Sequence, residues 1–190
     1  MKAQTHYHDI MITLEKIQAI ILYFSENTNN QYLGKVKLMK LFYFLDFVHV
    51  KEYGIPVTFD TYYKLDKGPI PTYIKNVVDD ACENEENSLL RDSINFETPL
   101  GTQMKKAVAK RKFNEGDKKL FSKSEFEILK KVSERFSETT TNAIIEISHK
   151  EAPYIESEIS QIIPYELAAR DSDSKFTAEE IELSIKVTSC

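Results

Sequence analysis

Hydrophobic residues recur at helical spacing in two segments near the start of the chain. The first segment, from Asp9 to Glu26, is separated by a polar break from the second, which runs from Lys35 to Tyr53. Both segments therefore predict helices. Gly54 can adopt the left-handed conformation that ends a helix, and Pro56 stands just beyond it.

The second predicted helix is apolar over most of its circumference. Its polar stripe is narrow and consists of Lys37, Lys40, Lys51 and Glu52. A helix with so much apolar surface is expected to lie at the centre of its domain. Phe44 falls on the lysine stripe, so we expect its ring to be exposed to solvent.

Asp46 and His49 interrupt the apolar arc of this helix. Side chains three residues apart on a helix can touch, and an Asp beside a His can fix its tautomer and raise its basicity. Two interpretations stay open. The pair is either satisfied within the core or forms the acid–base groups of a small hydrolase.

Polar and apolar residues alternate between Ile55 and Asp66, which predicts a short half-buried strand. The following residues 67–71, with the sequence Lys-Gly-Pro-Ile-Pro, predict a turn because glycine frees φ and each proline fixes it. Pro71 is a suitable first residue for a third helix. The buried stripe of that helix is expected between Tyr73 and Cys82.

The remaining pattern predicts a β-hairpin, a polar break and four more helical segments. The hairpin pairs residues 89–96 with 107–113, the break falls at 114–117, and the helices start at Ser124 or Ser122, near Thr139, at Pro164 and at Thr177. The predicted fold is mainly α with a small antiparallel β element, an α+β class. We expect a compact helical domain with a Gly-Pro corner over residues 1–170 and a loosely packed acidic helix or tail over 171–190.

Length and composition are those of one globular domain: 190 residues, of which 42% are hydrophobic and 29% charged. Cys82 and Cys190 cannot build a disulfide framework or a structural zinc site, and the four histidines are too scattered for a metal motif. We therefore predict no cofactor. Charged residues interrupt the amino-terminal segment and no apolar run is long enough to span a membrane, so a cytoplasmic protein is expected.

The charge is unevenly distributed along the chain. The net charge is -5, which argues against an obligate nucleic-acid-binding protein. Residues 102–123 carry eight Lys or Arg against two acids, whereas residues 151–190 carry nine acids against three bases. Either these are two solvated faces, or one of them steers an oppositely charged partner.

The common catalytic motifs are missing from the sequence, including the phosphate-binding loop, the nucleophile elbow and the zinc-protease motif. Cys82 lies on an apolar stripe without an adjacent base and is interpreted as an inert core thiol. Ser148 and His149 are neighbours in sequence, which indicates a polar pair at a helix end. A non-enzymatic protein is therefore the leading hypothesis.

Aromatic residues are dense between Lys40 and Leu65, and the alternating strand places rings on both of its faces. Exposed Tyr and Phe beside Lys are typical of a protein-binding surface. The residues that we predict to contact a partner are Lys40, Phe44, Tyr62, Lys64, Lys67 and Tyr73. The alternative is that these rings pack beneath the neighbouring hairpin.

Several motifs resemble the Panacea family, a phage-associated domain similar to the antitoxin SocA. These are the helix from Lys37 to Asp46, the segments 53–56 and 60–63, the Gly-Pro corner at 67–71, and residues 148–154. Where the family often has Trp, this chain has Tyr154. The matching motif positions are Lys37, Leu38, Lys40, Leu41, Tyr43, Asp46, Gly54, Pro56, Gly68, Pro69, Pro71, Ser148 and His149.

The resemblance implies an antitoxin that neutralises a co-encoded toxin protein by direct contact, with no catalytic residues to transfer. Because one family member resembles a protease adaptor, delivery of the toxin to an ATP-dependent protease is the alternative, and residues 171–190 would then carry the delivery signal. If the predicted contact surface is correct, Phe44→Ala or Tyr62→Ala should weaken toxin neutralisation without unfolding the protein.

Overall fold

A computed structural model describes residues 12–188 of the chain, so His6, His8 and Cys190 lie outside the described residues. The described helices are α1 Leu14–Asn27, α2 Lys35–Tyr53, α3 Thr72–Glu83, α4 Glu115–Lys118, α5 Lys123–Phe136, α6 Thr141–Ser148, α7 Ala152–Ile155 and α8 Ala178–Thr188. The strands are β1 Tyr62–Leu65, β2 Gly68–Pro71, β3 Ile94–Glu97, β4 Lys106–Ala109 and β5 Ile162–Ile163. Short 3-10 helices cover Asn30–Tyr32, Glu85–Asn87 and Tyr165–Arg170. The predicted mainly α fold with a small antiparallel β element is confirmed.

The central helix is α2, and its predicted bounds are correct. Every residue from Lys37 to Lys51 is buried, because α5, α6, β2 and the 3-10 helix Tyr165–Arg170 all pack around it. Gly54 ends α2 in the left-handed conformation with φ +79°, and its N–H donates to Val50 O at 2.8 Å. The helix is therefore the axis around which the other elements assemble.

The first helix was expected to begin at Asp9, which lies outside the described residues. Within them, α1 begins at Leu14, and the Thr13 side chain accepts a hydrogen bond from the Lys16 N–H, as an N-cap does. One face of α1 is buried, including Ile17, Ile21 and Phe24. This buried face confirms the predicted amphipathic pattern.

The expectation that Phe44 is exposed is wrong. Its side chain is 0% exposed, and its ring centroid lies 4.4 Å from that of Phe136 at the end of α5. The lysine stripe on which Phe44 falls is itself covered by neighbouring elements, so it is not a solvated face. A stripe of lysines predicts exposure only when nothing else in the fold needs to pack there.

The larger sheet has the strand order β2-β1-β5, with antiparallel pairing on both sides of β1. Residues 68–71 form strand β2 and not the predicted turn, which is confined to Asp66 and Lys67. Prolines are tolerated here because β2 is an edge strand. The predicted strand over residues 55–66 is also too long, since only Tyr62–Leu65 pair.

The register of this sheet decides which side chains face the core. Tyr62 pairs with Pro71 and Ile163, and all three are buried. Tyr63 pairs with Ile70 and Ile162 on the opposite face. The expectation that Tyr62 is exposed is therefore wrong: Tyr62 is 1% exposed, whereas its neighbour Tyr63 is 36% exposed.

The predicted hairpin exists as β3 and β4, with Ile94 opposite Ala109 and Glu97 opposite Lys106. Of the two capping boxes that compete for the start of α5, Ser122 and Glu125 form the one that is used. The residues expected as a break at 114–117 instead start the one-turn helix α4, which has its own capping box.

The C-terminal segment contacts the rest of the chain through a buried lysine and two apolar side chains. Lys51 Nζ lies 2.8 Å from Glu151 Oε2, 3.4 Å from Asp171 Oδ2 and 3.0 Å from Asp173 Oδ1. Ile181 and Ile185 of α8 are buried in the core. The division at residue 170 stays a prediction, and the described part of the segment makes these contacts across it.

Phe44→Ala should destabilise the protein by about 3–5 kcal/mol, because it removes a fully buried ring and leaves a cavity between α2 and α5. Urea unfolding followed by circular dichroism measures this change. Leu183→Ala is the matched control, since Leu183 is 63% exposed and should change the free energy of unfolding by less than about 0.5 kcal/mol. Equal stability of the Phe44→Ala variant and the parent would contradict the described packing.

Candidate partner-binding site

The six residues predicted to contact a partner do not form one surface. Lys40, Phe44 and Tyr62 are buried in the interior. Lys64 and Tyr73 are half-buried, and Lys67 alone of the six is exposed. Lys40 and Tyr62 lie in polar networks that hold the backbone, and Phe44 packs against the Phe136 ring.

Asp46 is fully buried and is surrounded by hydrogen-bond donors. Its Oδ1 accepts from the N–H groups of Val57 at 2.8 Å and Thr58 at 2.7 Å. Its Oδ2 accepts from the hydroxyls of Thr58 and Tyr62, the latter at 2.8 Å, and the Tyr165 hydroxyl lies 3.3 Å away. One carboxylate therefore joins α2 to the segment that follows it, to β1 and to the 3-10 helix at Tyr165.

Burial raises the pKa of Asp46 to about 6, and the donors from Thr58, Tyr62 and Val57 oppose that shift. The predicted contact between Asp46 and His49 is not made, because each side chain bonds to other groups. A fully enclosed carboxylate has no access to a substrate. The geometry therefore favours the interpretation that Asp46 is satisfied within the core over that of a hydrolase.

His49 joins α2 to the start of α5. Its Nδ1 lies 2.6 Å from the Ile55 carbonyl oxygen, which can only accept, so Nδ1 carries the proton and donates. Its Nε2 consequently accepts from the Ser124 hydroxyl at 3.1 Å. Burial lowers the pKa of His49, which keeps the ring neutral and both of these bonds intact.

Lys40 holds the Gly-Pro corner against α2. Its Nζ donates to the Pro69 carbonyl oxygen at 2.7 Å. Gly68 has φ +89°, and a Cβ at this position would lie 2.6 Å from Lys40 Cε and 2.7 Å from Ser148 Oγ. Only glycine allows this close approach of strand, lysine and serine.

The amine of Lys40 is buried without a carboxylate partner among the described residues. Burial accordingly lowers the pKa of Lys40 to about 7. Lys37, one turn earlier, donates to the Ser137 carbonyl at the end of α5 at 3.1 Å, and burial lowers its pKa to about 8. Both lysines therefore serve backbone carbonyls inside the protein.

Ser148 and His149 end α6, where a polar pair was expected. The Ser148 hydroxyl donates to the Ile145 carbonyl at 2.7 Å. The His149 ring stacks on Tyr154 with centroids 4.2 Å apart, and Lys64 Nζ lies 4.4 Å from the Tyr154 ring centroid. This stack connects the end of α6 to strand β1.

Asp60 is a structural residue whose role the sequence pattern did not indicate. Its carboxylate accepts from the N–H groups of Tyr73 at 3.0 Å and Ile74 at 2.9 Å, and so caps the start of α3. Pro71, the N-cap residue by position, has no side-chain acceptor. Because the capping group lies more than ten residues away, no local motif could have revealed it.

The outer face of the sheet is apolar and accessible. Tyr63, Ile70 and Ile162 stand in one row across the three strands, and Leu65 follows Tyr63 on the same face. Ile162 is 49% exposed and Leu65 is 38% exposed. Lys67 stands in the turn at the end of this face. We call Tyr63, Leu65, Ile70 and Ile162 the outer sheet face.

No group of three or more His, Cys, Asp or Glu side chains in residues 12–188 could hold a metal ion. None of the helices in this range combines the length and the apolar character that crossing a bilayer requires.

A family model described as antitoxin SocA-like, Panacea domain matches residues 38–155, which is more than half of the chain. Searches of curated proteins and of solved structures gave no match. The matched range contains α2 from Leu38 onward, the Gly-Pro strand and the pair at the end of α6, and therefore most of the buried polar network.

Asp46→Ala should cost at least about 3 kcal/mol of stability, because two backbone N–H groups and two hydroxyls lose their acceptor in the core. Asp46→Asn should cost less, since one acceptor oxygen remains and the hydroxyls can rotate to accept from the new amide. Denaturant unfolding measures the free energy of unfolding, which should be highest for the parent, lower for Asp46→Asn and lowest for Asp46→Ala. An Ala variant as stable as the Asn variant would contradict the proposed network.

Lys40 should give the protein a pH-dependent stability. Its pKa is about 7 in the folded chain against 10.5 when solvated, so between these values the unfolded state binds the extra proton and stability rises with pH. From about pH 7 to about pH 9.5, the free energy of unfolding of the parent should rise by about 3 kcal/mol relative to that of Lys40→Met. Lys67→Met is the exposed control and should follow the parent. If the Lys40→Met and parent curves are parallel, Lys40 is not held neutral.

Proposed function

The chain belongs to the antitoxin SocA-like, Panacea domain family, and on that premise we propose that it is the antitoxin of a toxin–antitoxin pair. It neutralises a co-encoded toxin protein by direct binding in the cytoplasm. The observation that carries this proposal is the family match over residues 38–155, which includes the central buried network except Lys37 and the C-terminal partners.

The use of the polar residues supports binding over catalysis. Asp46 and His49, the best acid–base candidates in the sequence, each direct their polar atoms to groups of the protein itself. The family motif residues Lys40 and Gly68 likewise shape the backbone and are enclosed. These residues build a rigid scaffold, and a rigid scaffold lowers the entropic cost of binding a partner.

The outer sheet face is the contact surface that we propose for the toxin. Tyr63, Leu65 and Ile162 are exposed and Ile70 between them is half-buried, so this apolar face is a surface that a protein partner can cover. Of the residues predicted from the sequence, Lys67 and Tyr73 lie near the two ends of β2, and Lys64 lies within β1. We retain Lys67 and Tyr73 as flanking contacts. Lys64 is not retained, because it lies between Tyr63 and Leu65 and faces the opposite side of the sheet, where its Nζ donates to the Ser157 carbonyl oxygen at 2.8 Å. The four residues of the outer sheet face replace Lys64 and the buried Phe44, Tyr62 and Lys40.

Direct binding is favoured over delivery to a protease through the C-terminal segment. Asp171 and Asp173 contact the buried Lys51, and Ile181 and Ile185 are buried in the core. A segment that forms part of the core is poorly suited to act as a free delivery signal. The contacts of residues 171–188 therefore support inhibition by covering the toxin.

Co-expression of this chain with the product of the neighbouring reading frame tests the proposal. The neighbouring product alone should stop bacterial growth, and this chain should restore it. Tyr63→Ala with Ile162→Ala should weaken toxin binding at least about tenfold and reduce the restored growth, because truncating central apolar contacts typically costs more than about 1.4 kcal/mol.

Leu183→Ala with Val187→Ala is the matched control, because both side chains are exposed and apolar but lie on α8. This control should restore growth as the parent does. Circular dichroism should show both double variants folded. Failure of the parent chain to restore growth rejects the antitoxin function, whereas full rescue by the Tyr63/Ile162 variant rejects only the proposed surface.

A further inference from the structure

A groove of about 560 Å³ runs along α5 and joins a second groove of about 370 Å³ beside α4. The two share Lys118, Lys123 and Phe126 in their walls. This surface has no residue in common with the outer sheet face. We call the joined feature the lysine groove.

Five lysines line the lysine groove: Lys118, Lys119, Lys123, Lys130 and Lys131. Lys131 Nζ is held at 2.8 Å by Glu52, and Lys118 Nζ lies 3.8 Å from Glu115. Among the described residues, no carboxylate forms an ion pair with the other three lysines. The lining holds five lysines against three glutamates, so the groove keeps a net positive charge.

The wall of the groove also carries an aromatic anchor. The half-buried Phe126 ring lies between 5.5 and 6.2 Å, centroid to centroid, from the rings of Tyr23, Phe113 and Phe121. Lys118 Nζ is 5.4 Å from its centroid. Phe126 is thus held by its neighbours and offers apolar surface directly beside positive charge, which suits a ligand with both an acidic and an apolar side chain.

We propose that the lysine groove binds an acidic segment of a polypeptide that carries an aromatic or aliphatic side chain. That this segment belongs to the toxin rests on the proposed function. That the groove suits an acidic segment follows from its lining residues alone. The carboxylates of the segment pair with Lys119, Lys123 and Lys130, and its apolar side chain packs against Phe126. Charge complementarity steers the encounter and increases the association rate.

A polypeptide fits the groove better than a nucleic acid. Three carboxylates, from Glu115, Glu127 and Glu134, stand among the lysines, and a continuous row of phosphates would be placed against them. A segment with separately placed charges avoids this repulsion.

Fluorescence anisotropy with a labelled synthetic peptide tests this inference on the full chain. The peptide is rich in Glu with two Phe, and a second peptide has Gln in place of every Glu. The Glu peptide should bind, more weakly as salt rises from about 50 to about 200 mM, and the Gln peptide should not. Lys123→Glu with Lys130→Glu should weaken binding of the Glu peptide at least about tenfold, because attraction at two sites becomes repulsion.

The charge-reversal variant should fold normally, since both lysines are exposed and a Glu at the first position of α5 interacts favourably with the helix dipole. Lys105→Glu with Lys112→Glu is the matched control: it makes the same change of net charge at exposed positions outside the groove, and it should bind the peptide as the parent does. Equal losses in both variants would show a non-specific charge effect and would overturn the proposal.

Two further measurements distinguish other occupants. If an oligothymidylate binds the parent more tightly than the Glu peptide and loses binding on charge reversal, the groove is a nucleic-acid site and the proposal is wrong. If light scattering finds a dimer that the same reversal dissociates, the occupant is a second copy of the chain, which also overturns it.

The growth assay separates the groove from the proposed function. If the chain binds the Glu peptide but does not restore growth, the groove proposal stands and the antitoxin function is rejected. If the chain restores growth but its peptide binding is absent or unchanged by the charge reversal, the groove proposal is rejected and the antitoxin function stands.

Discussion

The enclosure of α2 from Lys37 to Lys51 is the constraint on which the rest of the structure depends. A helix buried on every side cannot leave its polar side chains to water, and an unpaired polar group in the core costs several kcal/mol. Lys37, Lys40, Asp46, His49 and Lys51 therefore each reach a partner outside α2. In this way the polar residues of one helix position the end of α5, strand β2, the segment after α2, the start of α5 and the C-terminal segment.

This arrangement explains why the residues that look most reactive in the sequence are structural. A carboxylate, an imidazole and a cluster of lysines in one helix would indicate catalysis if they opened onto a cleft. Here Asp46 is saturated by donors, His49 is held by a carbonyl and a hydroxyl, and Lys40 supports a strand edge. The functional surfaces are accordingly found outside α2, on the outer sheet face and in the lysine groove.

Several parts of the fold could be predicted because their signals are local. The bounds of α2 follow from its apolar run and the left-handed Gly54, and the start of α5 follows from a capping box. The position of the β3–β4 hairpin was likewise visible in the pattern. The candidate site was much less predictable, because Phe44 and Tyr62 are buried by elements that lie far away in the sequence.

The sheet shows where local reasoning stops. Alternation indicates that Tyr62 and Tyr63 face opposite ways, but it does not say which of them faces the core. That choice depends on the position of Asp46, sixteen residues earlier, whose carboxylate accepts from the Tyr62 hydroxyl.

The sequence by itself thus determined the bounds of α2, the position of most longer helices and the family, because capping, periodicity and motif spacing act over a few residues. Only the tertiary structure decided which lysines and rings are exposed. Desolvation depends on everything that packs around a side chain, and those neighbours come from distant parts of the chain.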